Sequence, residues 1–166
     1  MPTDAPQVVR DTLIDLGVEW EEPQPGSFVA VLPGENKLRT TVSLALGPHR
    51  LTVNAFVVRH PDENDEQFWR WLLRHNARHP GLAFGVDSLG DVYLVTSIAR
   101  DAVTPAAVDE VLGRVLSVAD GAFNTLLELG FADSIRREWR WRHARGEPTD
   151  NLEAFRHLDP SAGDRP

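Results

Sequence analysis

Two histidines, His75 and His79, lie four residues apart with Asn-Ala-Arg between them. In a helix this spacing places both imidazole rings on one face, an arrangement that zinc sites use. A zinc site needs a third ligand, and no glutamate follows His75 to supply one. His75 also falls on the apolar face of its predicted helix, and His79 lies in the last turn, where a positive side chain suits the helix dipole. An enzyme or metal-binding protein built around this pair is therefore an alternative, and no cofactor is predicted.

A basic segment that contains two tryptophans suggests a different chemistry. Residues 134–146 hold five arginines and one glutamate, with Trp139 and Trp141 among the arginines. Arginine and tryptophan together can hold phosphates and stack bases, so a nucleic-acid-linked regulator acting through Arg136–Arg145 is a lesser alternative. The net charge of −8 opposes it, because an acidic protein repels phosphate. Nucleic acid is therefore not the expected partner.

The same basic segment can instead contact protein. In this interpretation Ile135 and Trp139 dock on the body of the protein, while the arginines are solvated or face acidic groups. The candidates for partner contact in this segment are Trp139, Trp141, Arg136, Arg137 and Arg140.

Three large aromatic residues, Phe68, Trp69 and Trp71, crowd one predicted helix. They lie so close along the helix that all three cannot face one core. One of the two tryptophans is expected to point toward an interface, where tryptophan is a favoured anchor. The alternative is that a second helix or the C-terminal tail covers it. Phe68, Trp69 and Trp71 are therefore candidates for contact with a partner or with a second copy of the chain.

Motifs for common enzyme chemistries are missing from the sequence, so no catalytic residue is predicted. Neither glycine-rich phosphate-binding pattern is present, and no serine lies in Gly-x-Ser-x-Gly. Cysteine is absent, which excludes disulfides and cysteine nucleophiles and suits a reducing cytoplasm. The longest apolar run, Phe28–Leu32, has five residues. A spanning helix needs about 20, so we expect a cytoplasmic protein that does not cross a membrane.

The elements that position these residues follow from hydrophobic periodicity and turn residues. Short turns between alternating strands predict an antiparallel meander. The predicted class is α+β, an antiparallel five-stranded sheet packed against helices in the order α-β-β-β-α-β-β-α. The predicted elements are Ala5–Leu16, Ser27–Leu32, Leu38–Leu46, Leu51–Val58, Asp65–Arg78, Leu82–Asp87, Asp91–Ile98 and a long helix from Pro105. Gly130 is expected to break this last helix before a basic helical piece, Asp133–Arg145.

Several stretches of this pattern point to one family. They are Leu16-Gly17-Val18-Glu19-Trp20-Glu21 after the first helix, Leu38-Arg39-Thr40-Thr41-Val42, and Leu72-Leu73-Arg74-His75-Asn76-Ala77. Together with the element order and the long last helix, they resemble YbjN-domain proteins, in the superfamily that has the class I type III secretion chaperone fold. The resemblance covers about residues 5–130, so we predict a domain at 1–131 and a basic helical extension with a tail at 132–166.

The resemblance implies a small, acidic, non-enzymatic protein with no catalytic residues to carry over. In the chaperone branch such proteins are usually dimers that hold an extended segment of a partner, and the YbjN branch is described as sensory or regulatory. We therefore predict a chaperone-like or regulatory protein-binding module that forms a homodimer.

Overall fold

The computed structural model describes residues 4–163, and its secondary structure follows the predicted order with one added strand. The helices are α1 (Ala5–Asp15), α2 (Asp65–Arg78) and α3 (Pro105–Arg145). The strands are β1 (Glu19–Gln24), β2 (Ser27–Pro33), β3 (Arg39–Leu46), β4 (Arg50–Val58), β5 (Ala83–Val86) and β6 (Val92–Ala99). Short 3₁₀ helices lie at Arg100–Ala102, Asp150–Leu158 and Pro160–Gly163.

All six strands form one antiparallel sheet in the order β1-β2-β3-β4-β6-β5. The sequence prediction of five strands was wrong, because Glu19–Gln24 forms an additional strand. Among the described residues this strand, β1, pairs with β2 alone and so forms an edge of the sheet. Its three glutamates and its proline, Pro23, are poor strand formers, but an edge strand tolerates both charge and proline.

The chain divides into two compact units. The first unit contains the described residues of Met1–His60 and Leu72–Phe123, and the second contains those of Pro61–Trp71 and Asn124–Pro166. The predicted domain boundary at residue 131 stays a prediction.

The first unit contains the whole sheet, α1 and parts of α2 and α3. Side chains alternate across the sheet, as β3 shows: Thr40, Val42 and Leu44 are buried, and the residues between them are exposed. One face of the sheet is therefore covered and the other is open. The α1 residues Val9 and Leu13 are fully buried in this unit.

Helix α3 supplies a long buried stripe to the first unit. Val108, Leu112, Val115 and Ala119 recur at helical spacing and are at most 2% exposed. By length and composition alone, α3 is apolar enough to cross a membrane. The core helix of a globular unit passes the same test, and this buried stripe accounts for the apolar character of its first half.

The second unit has its own small core. Helix α3 loses helical geometry at Phe131 (φ −141°, ψ 22°), one residue after the predicted break at Gly130. Beyond it, Ile135 and Trp139 pack with side chains from the 3₁₀ helix at 150–158, and the buried cluster consists of Ile135, Trp139, Leu152 and Phe155. The indole N–H of Trp139 donates to the carbonyl oxygen of Phe155 at 3.1 Å.

Candidate functional site

The two edges of the sheet differ in whether their backbone groups are already paired. At the β5 edge, the side chain of Asn76 on α2 bonds to both backbone groups of Phe84. The N–H of Phe84 donates to Asn76 Oδ1 at 2.7 Å, and Asn76 Nδ2 donates to the carbonyl oxygen of Phe84 at 3.0 Å. An amide that donates and accepts in this way replaces the neighbouring strand that β5 lacks. The β5 edge is therefore blocked at its centre.

Among the described residues, no side chain blocks the β1 edge in this way. Within residues 4–163 its hydrogen-bonded neighbour in the sheet is β2 alone, so half of its backbone groups point away from the sheet. A shallow groove of about 190 Å³ lies beside this edge, lined by Glu19, Trp20, Glu21, Val29 and Val31. Register places Glu19 opposite Val31 and Glu21 opposite Val29. The groove therefore has an apolar floor from β2 and an acidic rim from β1.

Beyond this groove, β1 is tied to α1 through an ion pair. Arg10 Nε and Nη2 donate to the two carboxylate oxygens of Glu22 at 2.7 and 2.9 Å. The N–H of Gly26, which has a positive φ of 79°, donates to the same carboxylate at 2.9 Å. The bonds from Arg10 and then Gly26 lower the pKa of Glu22 below its ordinary value of 4.5. This carboxylate therefore fixes both the end of β1 and the turn into β2.

A larger apolar cleft of about 490 Å³ lies on the open face of the sheet, toward the β5 edge. Its lining residues are Asn54, Gly85, Val86, Asp87, Tyr93 and Val95. Val86 and Val95 are 55% and 38% exposed. Tyr93 is supported from β4 by Phe56, whose ring meets it edge-on with 5.5 Å between centroids. Exposed valines in a cleft are suited to contact with another protein surface.

The hairpin between β2 and β3 is bound to α3 through one carboxylate. Oδ1 of Asp120 accepts backbone N–H bonds from Glu35, Asn36 and Lys37 at 2.9, 2.8 and 2.9 Å. Lys37 is the only lysine of the chain, and its Nζ lies 5.0 Å from the ring centroid of Phe123 and 5.5 Å from that of Phe56. Burial lowers the pKa of Lys37. The sequence alone predicts this hairpin only as a polar turn.

The His75 and His79 rings lie on one helix face, as the spacing predicts, but they stack on each other. Their centroids are 4.0 Å apart and their planes differ by 14°. Imidazole nitrogens bind a metal in the plane of the ring, so two nearly parallel rings do not converge on one ion. Burial, the neighbouring His79 and Arg78 lower the pKa of His75. Among residues 4–163 no group of three metal-ligating side chains is found.

The structure places the aromatic residues of α2 at different depths. Phe68 is fully buried, and a Cβ added to Gly130 would lie 3.0 Å from its ring carbons. Trp69 meets Phe68 edge-on with 5.0 Å between centroids and is half-buried, as is Trp71. Phe68 is therefore a core residue with no surface to offer a partner, whereas Trp69 and Trp71 keep part of theirs.

The two tryptophans of the basic segment also differ in exposure. Trp139 is 3% exposed and belongs to the core of the second unit, whereas Trp141 is 45% exposed. The three predicted arginine candidates lie on the surface of α3. Arg136 pairs with Asp133 at 2.7 Å, Arg137 donates to the hydroxyl of Ser134 at 2.8 Å, and Arg140 is exposed. Of the predicted contact residues in this segment, Trp139 serves packing, and the others remain accessible.

The acidic groove at β1 was missed in the sequence. Its signal is present, because Glu19 and Glu21 alternate with Trp20, and Val29 and Val31 alternate with buried residues of β2. That alternation alone does not predict a groove, because the groove forms only when β1 pairs with β2 in this register.

Solved structures with a similar fold include two protein complexes and a YbjN protein. The crystal structure of the ExsC-ExsE complex contains a chain with a TM-score of 0.56 and 21% identity, covering 76% of this chain and 96% of that chain. A chain of the HopA1-SchA chaperone-effector complex matches with a TM-score of 0.52 and 16% sequence identity, covering 69% of this chain and 89% of that chain. The crystal structure of YbjN from E. coli matches with a TM-score of 0.51 and 16% sequence identity, covering 69% of this chain and 86% of that chain. The fold is therefore type III secretion chaperone-like, as the sequence resemblance implies.

Sequence relatives are found in mycobacteria. An uncharacterized protein of Mycobacterium tuberculosis is 50% identical over 145 residues, which span 85% of this chain and 79% of the relative. One from Mycobacterium leprae is 47% identical over 137 residues, covering 82% and 74%. The YbjN family model, described as "Putative bacterial sensory transduction regulator", matches residues 5–128. With three quarters of its length under this model, the chain belongs to the YbjN family.

Proposed function

We propose that this protein is a non-enzymatic, chaperone-like or regulatory binding protein that holds an extended segment of a partner protein along its β1 edge. The observation that carries the proposal is the β1 edge, which among the described residues pairs with β2 alone. It lies next to a groove with an apolar floor and an acidic rim, in a sheet whose other edge is blocked at Phe84 by Asn76. An extended segment that joins such an edge gains main-chain hydrogen bonds, and pockets for alternate side chains give it specificity.

The spacing of the groove suits an added strand. Val29 and Val31 are two residues apart on β2, so their side chains lie on the same face and about 6.6 Å apart along the strand. This repeat matches alternate side chains of an extended partner. Glu19 and Glu21 provide negative charge along the same repeat, although Glu19 also pairs with Arg39 at 3.1 Å. We therefore expect a segment with alternating apolar residues and a net positive charge.

The comparisons are consistent with a protein partner. Two of the similar structures are complexes of two different proteins, one of them a chaperone with its effector. At 21% and 16% identity they supply the fold, and the choice of the β1 edge rests on this chain's own groove. We expect the protein to act in the cytoplasm.

The test begins with affinity purification of the full chain from its native host, followed by hydrogen exchange on any complex recovered. We expect one protein in fixed ratio and slower exchange of the β1 amides that point away from β2. Val31→Asp should abolish recovery, because binding would bury a carboxylate against the apolar floor. Leu89→Asp, the same apolar-to-acidic change at a residue that is 75% exposed in the turn after β5, is the matched control and should retain the partner. Equal recovery with Val31→Asp, or unchanged exchange in β1, would overturn the proposal.

A homodimer is a second part of the proposal. The apolar cleft with Val86 and Val95 is the exposed surface of the first unit best suited to it. The half-buried Trp69 and Trp71 offer the alternative surface that the sequence suggests. Substitution of Val95 or of Trp69 distinguishes the two surfaces.

A further inference from the structure

The last four turns of α3 present two opposite faces. Phe131, Ile135 and Trp139 recur every four residues and are buried, which fixes the inward face. Trp141 follows Trp139 by two residues, and at 100° per residue it points about 200° away from it. The outward face therefore carries Trp141, with Arg137 four residues before it and Arg145 four residues after it. We call these three residues the Trp141 stripe.

The arginines of this segment differ in whether a carboxylate neutralises them. Arg136 is paired with Asp133, and Arg142 donates to Glu138 at 2.7 Å and to the carbonyl oxygen of Pro148 at 2.6 Å. The remaining three, Arg137, Arg140 and Arg145, have no carboxylate partner among residues 4–163. Uncompensated positive charge is therefore concentrated around the stripe.

The stripe also offers an aromatic surface. The guanidinium carbon of Arg145 lies 4.9 Å from the ring centroid of Trp141, and 45% of this tryptophan is exposed. A broad, shallow depression of about 540 Å³ runs along the same face, lined by Ser134, Arg137, Glu138, Trp141 and Arg142. A ligand in this depression would meet an indole ring between separate guanidinium groups.

We propose that the Trp141 stripe binds an acidic segment of a partner protein, with carboxylates on Arg137 and Arg145 and an apolar side chain on Trp141. Guanidinium groups bind carboxylates through paired hydrogen bonds, and tryptophan and arginine are favoured anchors of protein interfaces. The occupant follows from charge complementarity: residues 134–146 contain five arginines and one glutamate, in a chain whose net charge is −8. A long phosphate polymer would meet the remaining negative charge, whereas a short acidic segment contacts the stripe alone.

This surface lies in the second unit, and the family match ends at residue 128, before the stripe begins. The inference does not depend on the β1 groove, for which the expected partner segment is basic.

The experiment measures binding of a fluorescein-labelled oligoglutamate peptide with one central phenylalanine to the full chain at low salt, by fluorescence anisotropy. An oligolysine peptide with the same phenylalanine and a single-stranded oligothymidylate serve as comparison probes. We expect the acidic peptide to bind, with an affinity that falls as salt rises, and any binding of the basic peptide to be unchanged by Trp141→Ala. Trp141→Ala should weaken binding of the acidic peptide about tenfold, and Arg137→Ser by about three- to tenfold.

The matched control is Arg74→Ser, which removes the same charge from an exposed position on α2. Each variant is checked by circular dichroism, and all three changes are at exposed residues, so the fold should be retained. Three results would each overturn the proposal. They are failure of the acidic peptide to bind at low salt, an equal loss with Arg74→Ser and Arg137→Ser, and tighter binding of oligothymidylate than of the acidic peptide. The last result would assign the stripe to nucleic acid.

Discussion

The side-chain amide of Asn76 makes both outward backbone hydrogen bonds of Phe84, through Oδ1 at 2.7 Å and Nδ2 at 3.0 Å. A side chain on α2 thus completes the edge of the sheet where no further strand is present. The same contact fixes the end of α2 to β5. The β5 edge is therefore blocked, whereas within residues 4–163 no side chain bonds to the β1 edge in this way, which is the basis for placing a partner at β1.

Replacing Asn76 by Ala should destabilise the protein by about 2 kcal/mol, because both backbone groups of Phe84 lose their partner. Asn76→Asp should also be destabilising, since a carboxylate still accepts from the Phe84 N–H but places an acceptor oxygen against its carbonyl oxygen. Urea unfolding measures the loss, and hydrogen exchange at the Phe84 amide should accelerate. An unchanged free energy of unfolding in Asn76→Ala would show that water replaces the amide without cost. The alanine variant should also aggregate more readily, because its β5 edge is open.

The carboxylate of Asp120 should matter for the β2–β3 hairpin in a similar way. Asp120→Ala leaves three backbone N–H groups without their acceptor and should cost about 2 kcal/mol. Asp120→Asn keeps an oxygen at that position and should cost less. Gly34→Ala is the steric counterpart, since an added Cβ would lie 2.5 Å from Asp120 Oδ1 and collide with the backbone oxygen of Lys37. Chemical denaturation of the three variants tests the ranking, and equal stability of Asp120→Ala and Asp120→Asn would contradict it.

Much of this architecture is predictable from the sequence because it depends on local periodicity. Alternation in β3 and β4 and the apolar stripe of α3 place their residues correctly. The break at Phe131 follows the expected helix end at Gly130. By contrast, β1 is an edge strand with acidic residues and proline, and its strand character depends on pairing with β2.

The candidate sites depend on contacts between distant segments, which periodicity does not specify. Nothing in the sequence around Asn76 or Asp120 predicts that they bind the backbone of Phe84 and of the β2–β3 hairpin. The sequence also left open which of the α2 aromatic residues is buried, because Phe68, Trp69 and Trp71 all lie within one turn. The structure resolves this choice for Phe68, whose ring meets Gly130.

Stability should depend on pH through Glu22. Its pKa is lowered by Arg10 and then by Gly26, so the folded state favours the charged form. The contribution is present above its ordinary value of 4.5 and is lost as the pH falls through the lower, folded-state pKa. Glu22→Gln should therefore be less stable than the natural protein at neutral pH, with a difference that shrinks in acid. Thermal unfolding across this range measures it. Glu21→Gln, an exposed neighbour on β1, should show no such difference, and a constant gap for Glu22→Gln at all pH values would contradict the assignment.

Trp139 and Trp141 should respond to mutation in opposite ways. Trp139→Ala removes a buried side chain and its bond to Phe155, which should cost about 3–5 kcal/mol. Trp141→Ala removes an exposed ring and should change stability by less than about 0.5 kcal/mol. Urea unfolding followed by circular dichroism compares them. Similar losses in both variants would show that Trp141 also contributes to packing.

The oligomeric state tests which apolar surface joins two copies. We expect the full chain to have the mass of a dimer in light scattering and Val95→Asp to have that of a monomer. The reason is that the aspartate would place a charge in the apolar cleft formed with Val86 and Tyr93. Val95 is partly exposed in the single chain, so the substitution should leave the fold intact. Trp69→Ala is the comparison: a dimer that survives Val95→Asp but dissociates in Trp69→Ala would place the contact on α2. A monomer in the natural protein at all accessible concentrations would exclude the homodimer altogether.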